Sequence, residues 1–346
     1  MQFYITTADG IVVVNDNDND IEHSKKTISI IAAGDSVGHN IKNENLFHLA
    51  NIINGSDIFI FNLEGVLFDS PKRVPSCEGF PSYQSIFVSN SSFVNYLKLA
   101  PITIANLANN HIFDCGYKGI KETKRILNEH GILSVGAGQN LYQACQPLFI
   151  HFKGLTIAFV SYNFVLKDLV SAGTHHSGAA SMDACNHDYN NLRLKKVADL
   201  IIASIHLGIW SANVTKKQIE IVQDLLNAGA DIVIGHSPHI PQAIMATKNG
   251  RLAFFSLGNF IFRPDYLMPS LAYTTIVPRI DLYTDGRIDV IIYPVIIDNN
   301  GIPHLEEEQK EKGNHIISRI ANDSKRFDTS INVSNNLGHI SIYRHQ

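Results

Sequence analysis

Short apolar runs alternate with longer amphipathic stretches from Thr27 onward, and this alternation restricts the fold more than any other feature. Apolar runs separated by helical periodicity are typical of sheets covered by helices. The sequence therefore predicts an α/β fold. Strands are expected at residues 28–33, 57–62, 102–106, 155–161, 200–206, 232–235, 252–257, 273–282 and 287–297. Helices are expected at residues 91–100, 117–130, 187–197, 215–228 and 305–320.

The first 26 residues differ from the rest of the chain. Asp9-Gly10 separates two short apolar segments, and this dipeptide favours a tight turn between antiparallel strands. A run of alternating Asn and Asp, residues 15–20, follows and is typical of a solvated linker. We therefore divide the chain into a hairpin and linker, residues 1–26, and one larger domain, residues 27–346.

The charge balance and the amino terminus exclude some classes of function. Lys and Arg number 28 against 32 Asp and Glu, a net charge of −4, so no basic nucleic-acid footprint is indicated. The start MQFYITTADG has no positive region followed by an apolar one, and no long apolar run occurs. We expect a soluble, cytoplasmic protein with no membrane anchor and no nucleic-acid partner.

Four cysteines are present, and they lie far apart in the chain. They are Cys77, Cys115, Cys145 and Cys185, and none forms a C-x-x-C pair. Such pairs are typical of structural zinc and redox sites. Reduced, buried thiols are therefore expected.

Polar residues with metal-binding side chains follow several of the predicted strands. Because the carboxyl ends of strands in an α/β sheet share one rim, these side chains are expected to meet there. These strand ends carry Asp35, Asn62 with Glu64, Asn109-Asn110-His111, His206, His236 with His239, and Asn259. Each of them alone has an ordinary role in packing or in a turn, but the joint pattern favours a common site.

This set of side chains suits borderline divalent ions. Imidazole nitrogen together with carboxylate and amide oxygen favours manganese, iron or zinc. The set is larger than one ion requires, so two divalent metal ions are predicted as cofactors. Two adjacent ions are the arrangement used to cleave phosphoesters, and sometimes amides.

Motifs in a fixed order carry a resemblance to a known family. They are GD at 34–35, NLEG at 62–65, ANNHIFDCG at 108–116, VGAG at 135–138, HLGIW at 206–210, GADIVIGHSPHIPQ at 229–242 and FSLGNFIF at 255–262. This series resembles that of the CapA family, the poly-γ-glutamate capsule biosynthesis proteins of the calcineurin-like metallophosphatase superfamily. The resemblance implies two packed mixed β-sheets flanked by helices, an αββα sandwich.

The resemblance also implies how the ligands divide between two metals. Asp35 and His239 would bind the first metal, and Glu64 would bridge both. The second metal would be held by Asn110, His206 and His236. Val37 stands where metallophosphatases usually carry a further His, so the first site is expected to bind its ion more weakly. The nearby His39 either completes that site or lies exposed.

His111 and Asp114 are the predicted catalytic residues. By the resemblance, His111 faces the substrate rather than a metal. Asp114 follows three residues later, where it either orients His111 or serves as a turn or helix cap.

Six further residues are candidates for substrate binding. Asn259 either lines the rim or supports the preceding turn, and Trp210 either stacks on the substrate or packs against the protein. Lys72 and Arg73 reach an anionic substrate or form a solvated pair. His175 and His176 lie in a glycine-bearing segment that is either a lid or a disordered loop. Apart from these six, Arg263 either favours an anionic substrate or pairs with Asp265.

Three functions fit these features. The first is a metal-dependent hydrolase of a phosphoester or of a γ-glutamyl-type amide, with an anionic small molecule or a polyglutamate-type chain as its substrate. The second is a non-catalytic factor that binds or assembles the capsule polymer. The third is an enzyme that forms amide bonds, although no phosphate-binding Gly-rich loop with Lys is present.

Overall fold

A computed structural model of the chain describes residues 4–6, 11–14, 27–38, 53, 55–70, 77, 86–185, 194–263, 267–305 and 310–344. The strands are β1 (Tyr4–Thr6), β2 (Ile11–Val14), β3 (Thr27–Ser36), β4 (Ile58–Leu63), β5 (Val66–Phe68), β6 (Val88–Asn90), β7 (Ile102–Asn106), β8 (Leu133–Val135), β9 (Ala137–Gly138), β10 (Leu148–Phe152), β11 (Leu155–Asn163), β12 (Gly178–Ala179), β13 (Leu200–His206), β14 (Ile232–His236), β15 (Ile244–Ala246), β16 (Leu252–Phe254), β17 (Thr274–Tyr283), β18 (Arg287–Ile297), β19 (Pro303–Leu305), β20 (Asn332–Ser334) and β21 (Leu337–Tyr343). The α-helices are α1 (Gly116–Glu129), α2 (Leu141–Ala144), α3 (Lys167–Val170), α4 (Lys216–Ala228) and α5 (Lys310–Ser324), and short 3₁₀ helices occur at Ser91–Tyr96, Asn110–Phe113, Ser270–Tyr273 and Lys325–Phe327.

Two large mixed sheets form the body of the protein. The first sheet has the order β1-β2-β10-β11-β13-β14-β16-β15, and the second has β20-β21-β18-β17-β3-β4-β7-β8 with β19 beside β18. Each sheet contains a run of parallel strands, namely β11-β13-β14-β16 in the first and β3-β4-β7-β8, which ends at the edge strand β8, in the second. The parallel strands bring the carboxyl ends of each run to one rim.

The core lies between the two sheets, and helices cover their outer faces. The inner layer combines buried side chains of both sheets, including Ile30, Ile60, Ile104, Phe159, Ile202 and Ile234. Helix α1 packs on the outside of the second sheet through Ile120, Ile126 and Leu127. Helix α4 packs on the outside of the first through Ile221, Val222 and Leu225. The predicted α/β class and αββα sandwich are confirmed.

Helix α4 shows how local sequence sets an element. The Thr215 side chain accepts a hydrogen bond from the backbone N–H of Gln218, whose side chain accepts the Thr215 N–H in return, which forms a capping box. The helix ends at Gly229, where φ is +119°. Its start and end agree with the sequence-based prediction of residues 215–228.

Two other predicted elements differ from the structure. Residues 91–96 form a 3₁₀ helix rather than the α-helix expected at 91–100, since Ser and Asn side chains compete with the backbone for hydrogen bonds. Strand β16 ends at Phe254 rather than at residue 257, because the chain turns at Gly258 with φ +88°. Most of the helix predicted at 187–197 lies outside the described residues.

The amino-terminal strands β1 and β2 pair antiparallel, as predicted. Strand β2 also pairs in parallel with β10, so the hairpin extends the edge of the first sheet. None of the helices within the described ranges combines the length and the apolar character needed to cross a bilayer.

The expectation of four reduced thiols is wrong. Cys77 pairs with Cys115, and Cys145 pairs with Cys185. The partners are 38 and 40 residues apart, and spacing alone does not reveal pairing of this kind. The first disulfide ties an otherwise distant segment to the residue that precedes helix α1.

Candidate metal centre

The site lies where the rims of the two sheets meet. Asp35 near the end of β3 donates its backbone N–H to the carbonyl oxygen of Gly258 at 3.0 Å, and Phe260 donates its N–H to the carbonyl of Asp35 at 2.7 Å. A Cβ atom on Gly34 would lie 1.9 Å from the Gly258 oxygen, so only glycine permits this approach. The segment that follows β16 is thereby joined to β3 of the other sheet.

Asp35 and two histidines form the first part of the site. The Oδ2 atom of Asp35 lies 3.3 Å from Nδ1 of His239, and its Oδ1 atom lies 3.5 Å from Nδ1 of His236. His236 is the last residue of β14, and the Asp35 and His236 side chains are completely buried. The two oxygens of Asp35 therefore face different histidines.

The two oxygens of the Glu64 carboxylate likewise face different histidines. Its Oε1 atom lies 3.5 Å from Nε2 of His206, and its Oε2 atom lies 3.9 Å from Nδ1 of His239. Ligand atoms of Asp35, Glu64 and His239 all lie within 4.8 Å of one another. This group could hold a cation, and His236 and His206 each face one of its two carboxylates.

Buried polar atoms that lack a hydrogen-bond partner indicate whether the residues fit a bound cation. Four buried side-chain atoms lack a hydrogen-bond partner in the part of the chain that the structure describes. Three of them belong to the site, namely Glu64 Oε2, Asn110 Oδ1 and His236 Nδ1. Leaving a buried polar atom unpaired costs about 1–3 kcal/mol, so their concentration here is unfavourable unless a cation is bound. The residues therefore fit a metal centre.

The protonation states of the site support the same interpretation. Burial lowers the pKa of His206 well below its ordinary value, and that of His236 to about 4. Burial likewise lowers the pKa of His239, although Asp35 and Asn259 act in the opposite direction. These imidazoles are held neutral, which is the form that binds metals. Burial, followed by the charges of Asp35 and Asp114, raises the pKa of Glu64 well above its usual range.

A buried network of amides holds the ligands from behind, and sequence reasoning missed it. The Nδ2 atom of Asn62 donates to Oδ1 of Asp35 at 2.7 Å and lies 3.3 Å from Nδ1 of His206. Its Oδ1 atom accepts from the side chains of Asn106 at 2.9 Å and Asn109 at 3.1 Å. Backbone N–H groups donate to the side-chain oxygens of Asn106 and Asn109, which fixes the orientation of both amides. Asn62 lies at the end of a predicted strand, and this position is the one sign of its role that the sequence offers.

His111 lies beside the ligands in the short 3₁₀ helix that follows β7, and Asp114 caps the end of this helix. The Nδ1 atom of His111 is 2.8 Å from Oδ2 of Asp114, and its Nε2 atom is 3.9 Å from Oε1 of Glu64. Phe87, which sequence reasoning also missed, stacks on the His111 ring with the centroids 4.1 Å apart. The imidazole is thereby held with one nitrogen on Asp114 and the other toward the carboxylate of the site.

The turn that carries His239 is strained. Ser237 has φ +97° and His239 has φ +59°, values that are uncommon for residues with a side chain. The N–H of Ser237 donates to Oδ2 of Asp35 at 3.2 Å, so the turn is fastened to the carboxylate. Such strain persists where surrounding contacts enforce it, most often at functional sites.

Asn259 does not line the rim as a substrate contact. Its side chain is completely buried, its Oδ1 atom lies 2.8 Å from Nδ1 of His239, and its Nδ2 atom donates to the carbonyl of Ala272 at 3.0 Å. Both ends of the amide are occupied, so this residue supports His239 instead.

The other substrate candidates have different positions. Trp210 is half-exposed, and its ring centroid lies 6.3 Å from that of His239. His175 and His176 are exposed in an ordered segment, where Nδ1 of His176 accepts the backbone N–H of Gly173 at 3.2 Å. Arg263 is exposed. Lys72, Arg73, His39 and Asp265 lie outside the described residues.

The two packed mixed sheets form an αββα sandwich that carries buried imidazoles, carboxylates and an amide at a shared rim, which defines a candidate metal-binding protein. The family model described as "Bacterial capsule synthesis protein PGA_cap" matches residues 18–264, more than half of the chain. The chain therefore belongs to this capsule synthesis family, as its motifs indicated.

The chain is also similar to curated proteins and to a solved structure. The capsule biosynthesis protein CapA of Bacillus anthracis is 29% identical over 225 residues, which are 62% of this chain and 53% of that protein. The PGA biosynthesis protein CapA of Bacillus subtilis (strain 168) is 31% identical over 176 residues, 50% of this chain and 46% of that protein. The chain thus spans about half the length of these curated relatives. The Haemophilus influenzae NAD nucleotidase NadN aligns with a TM-score of 0.49 and 11% identity, over 84% of this chain and 55% of that chain.

Proposed function

We propose that this CapA-like protein is a metal-dependent hydrolase that cleaves a phosphoester or a γ-glutamyl-type amide at a site for two divalent ions. The observation that carries the proposal is the set of buried, unpaired ligand atoms on Glu64, Asn110 and His236, together with two buried carboxylates, Asp35 and Glu64, that each face at least two histidines. When bound, a pair of manganese, iron or zinc ions would polarise the scissile bond and activate water.

Each ligand has a position suited to its proposed role. Asp35, Glu64 and His239 would hold the first ion, because their ligand atoms form one compact group. Glu64 would also reach the second ion, which Asn110, His206 and His236 would hold. The neutral imidazoles require no proton loss at neutral pH in order to bind.

His111 would act on the leaving group. The Asp114 carboxylate accepts the proton on Nδ1, so the tautomer is set and Nε2 is directed toward the site. In this tautomer Nε2 carries no proton; once it has taken one up from solvent, the imidazolium paired with Asp114 can donate that proton from Nε2 to the departing oxygen or nitrogen. General acid catalysis of this kind typically contributes 10²–10⁴-fold in rate.

A polymer-binding or assembly role in poly-γ-glutamate capsule synthesis is the second candidate. The names of the relatives favour it, since two are capsule or PGA biosynthesis proteins. The His111–Asp114 pair supports the hydrolase, because a module that only binds a polymer has no use for an oriented proton donor. Amide-bond formation has no such support.

The proposal also concerns the cellular compartment of the protein. A cytoplasmic location is the sequence-based expectation, but the two disulfides favour an oxidising compartment, since disulfides are rare in the cytosol.

The test is turnover by the metal-loaded protein of generic phosphomonoesters, phosphodiesters and γ-glutamyl peptides. Metal-dependent turnover that His111→Asn lowers supports the hydrolase. Binding of polyglutamate without turnover of any of these substrates supports the assembly factor and contradicts the hydrolase.

A further inference from the structure

The loop between β13 and α4, residues 207–215, exposes two large apolar side chains beside the metal centre. Ile209 is 65% exposed and Trp210 is 49% exposed. The Trp210 ring approaches His239 nearly edge-on, at an interplanar angle of 73°. Exposed apolar side chains that adjoin a polar site are typical of a binding surface.

The exposure of Trp210 does not come from a loose loop. The buried side chains of Gln218 and Gln242 bond to each other at 2.8 Å and hold the loop from behind. The Nε2 atom of Gln218 donates to the carbonyl of Leu207 at 3.3 Å. The Nε2 atom of Gln242 donates to the carbonyls of Ser211 at 2.9 Å and Asn213 at 3.1 Å. The backbone on both sides of the tryptophan is therefore fixed.

The loop is also fastened to the turn that carries His239. The hydroxyl of Ser237 donates to the carbonyl of Gly208 at 3.3 Å. Gly208 has φ +138°, and a Cβ atom on it would lie 2.7 Å from Cγ of Pro238. Trp210 consequently keeps a set position relative to the metal ligands.

Aromatic rings continue from Trp210 across the site. The ring of Phe262 lies 5.0 Å from that of His239 and 5.9 Å from that of Phe87, measured between centroids. Phe87 in turn covers His111. We call Phe87, Phe262 and Trp210 the aromatic rim. It runs from the proposed proton donor to the exposed loop.

The lack of charged residues in this loop indicates which kind of chemical group the aromatic rim binds. Residues 207–215 include no Lys, Arg, Asp or Glu. A γ-glutamyl chain carries a carboxylate on every residue and would need cations along its path. Aromatic side chains instead stack on neutral planar groups.

We propose that the aromatic rim is a subsite for a neutral planar group, such as an aromatic ring, on the same molecule as the anionic group that the metals bind. The substrate class is then an ester or amide that carries such a ring, not a bare γ-glutamyl chain. This inference rests on the proposed metal centre.

Two non-hydrolysable probes separate the subsite from the metal centre. Phenylphosphonate and methylphosphonate share the anionic group, and only the first carries a ring. We expect the metal-loaded protein to bind phenylphosphonate about tenfold more tightly in calorimetric titration. Trp210 is the only tryptophan of the chain, so its fluorescence should change with phenylphosphonate and much less with methylphosphonate.

Variants complete the test. Trp210→Ala should bring the two affinities together, whereas Tyr142→Ala, which removes a 76% exposed aromatic ring on α2, should keep the preference for phenylphosphonate. Equal binding of both probes by the wild-type protein, or a preference that survives Trp210→Ala, would overturn the subsite alone. Failure of both probes to bind would contradict the metal centre, and the subsite with it.

Discussion

The Oδ2 atom of Asp114 lies 2.8 Å from Nδ1 of His111, and the same oxygen accepts the backbone N–H of Phe87 at 2.6 Å. One buried carboxyl oxygen thus holds both the imidazole and the backbone of the residue whose ring covers it. Cys115, the next residue, is joined to Cys77. The position of the proposed proton donor therefore depends on contacts from segments far apart in the chain.

Replacing Asp114 by Asn should weaken catalysis without releasing metal. The Asn amide removes the charge that sets the tautomer of His111, so we expect kcat to fall about 10–100-fold. Bound metal, measured by elemental analysis, should stay at the wild-type level. Asp183→Asn is the matched control, because that carboxylate is 72% exposed and pairs with Lys167. Equal activity of the two variants would contradict the role of Asp114.

The variants His236→Ala and His111→Asn should separate metal binding from catalysis. His236→Ala removes a ligand and should release one metal and abolish activity together. His111→Asn should keep its metals and lose about 10²–10⁴-fold in kcat. Metal content and turnover are measured on the same samples. If His111→Asn loses metal as readily as His236→Ala, His111 is a ligand and the assignment is wrong.

Buried His236 should make the metal-free protein less stable in acid. Its pKa falls from an ordinary 6.5 to about 4 on folding, so the unfolded chain binds a proton first as the pH decreases. The free energy of unfolding should therefore decrease from pH 6.5 to about 4, and this histidine contributes on the order of 3 kcal/mol to the loss.

Comparison with His236→Asn isolates this contribution, because the raised pKa of Glu64 acts in the opposite direction in both proteins. Urea denaturation of chelator-treated samples measures the difference. The wild-type protein should lose more stability than the variant over this pH range, and parallel curves would contradict the burial of a neutral imidazole.

The two disulfides lead to predictions about the number of free thiols and about the stability of the protein. Thiol labelling of the denatured, unreduced chain should find no free cysteine. The Cys77–Cys115 link encloses about 38 residues, so the double Ser variant should lose about 4 kcal/mol of stability by the loop-entropy relation. Detection of four free thiols in protein purified without reductant would contradict both links.

The fold and the meeting of the candidate ligands at one rim were largely predictable, because both depend on local patterns. The apolar runs mark the central strands, and Asp35, Glu64, His206 and His236 each follow or end one of them. Parallel pairing then brings them together, as the neighbouring register positions of His206 and His236 show.

Contacts between distant segments were not predictable from such patterns. Phe87 stacks on His111 across 24 positions of sequence, and no periodicity marks that approach. Asn259 follows a strand end like a ligand, yet the close passage of its segment beside β3 buries it behind His239. The disulfide pairs likewise depend on tertiary proximity.

Metal stoichiometry tests the central claim most directly. Val37 is buried and its backbone N–H donates to the carbonyl of Ile261 at 2.7 Å, so position 37 supplies no ligand to the first site. We expect the purified protein, loaded with manganese, iron or zinc, to hold up to two ions per chain by elemental analysis, with one bound more weakly in titration. Two equally tight sites would contradict the weaker first site, and the absence of any stoichiometric ion would contradict the metal centre itself.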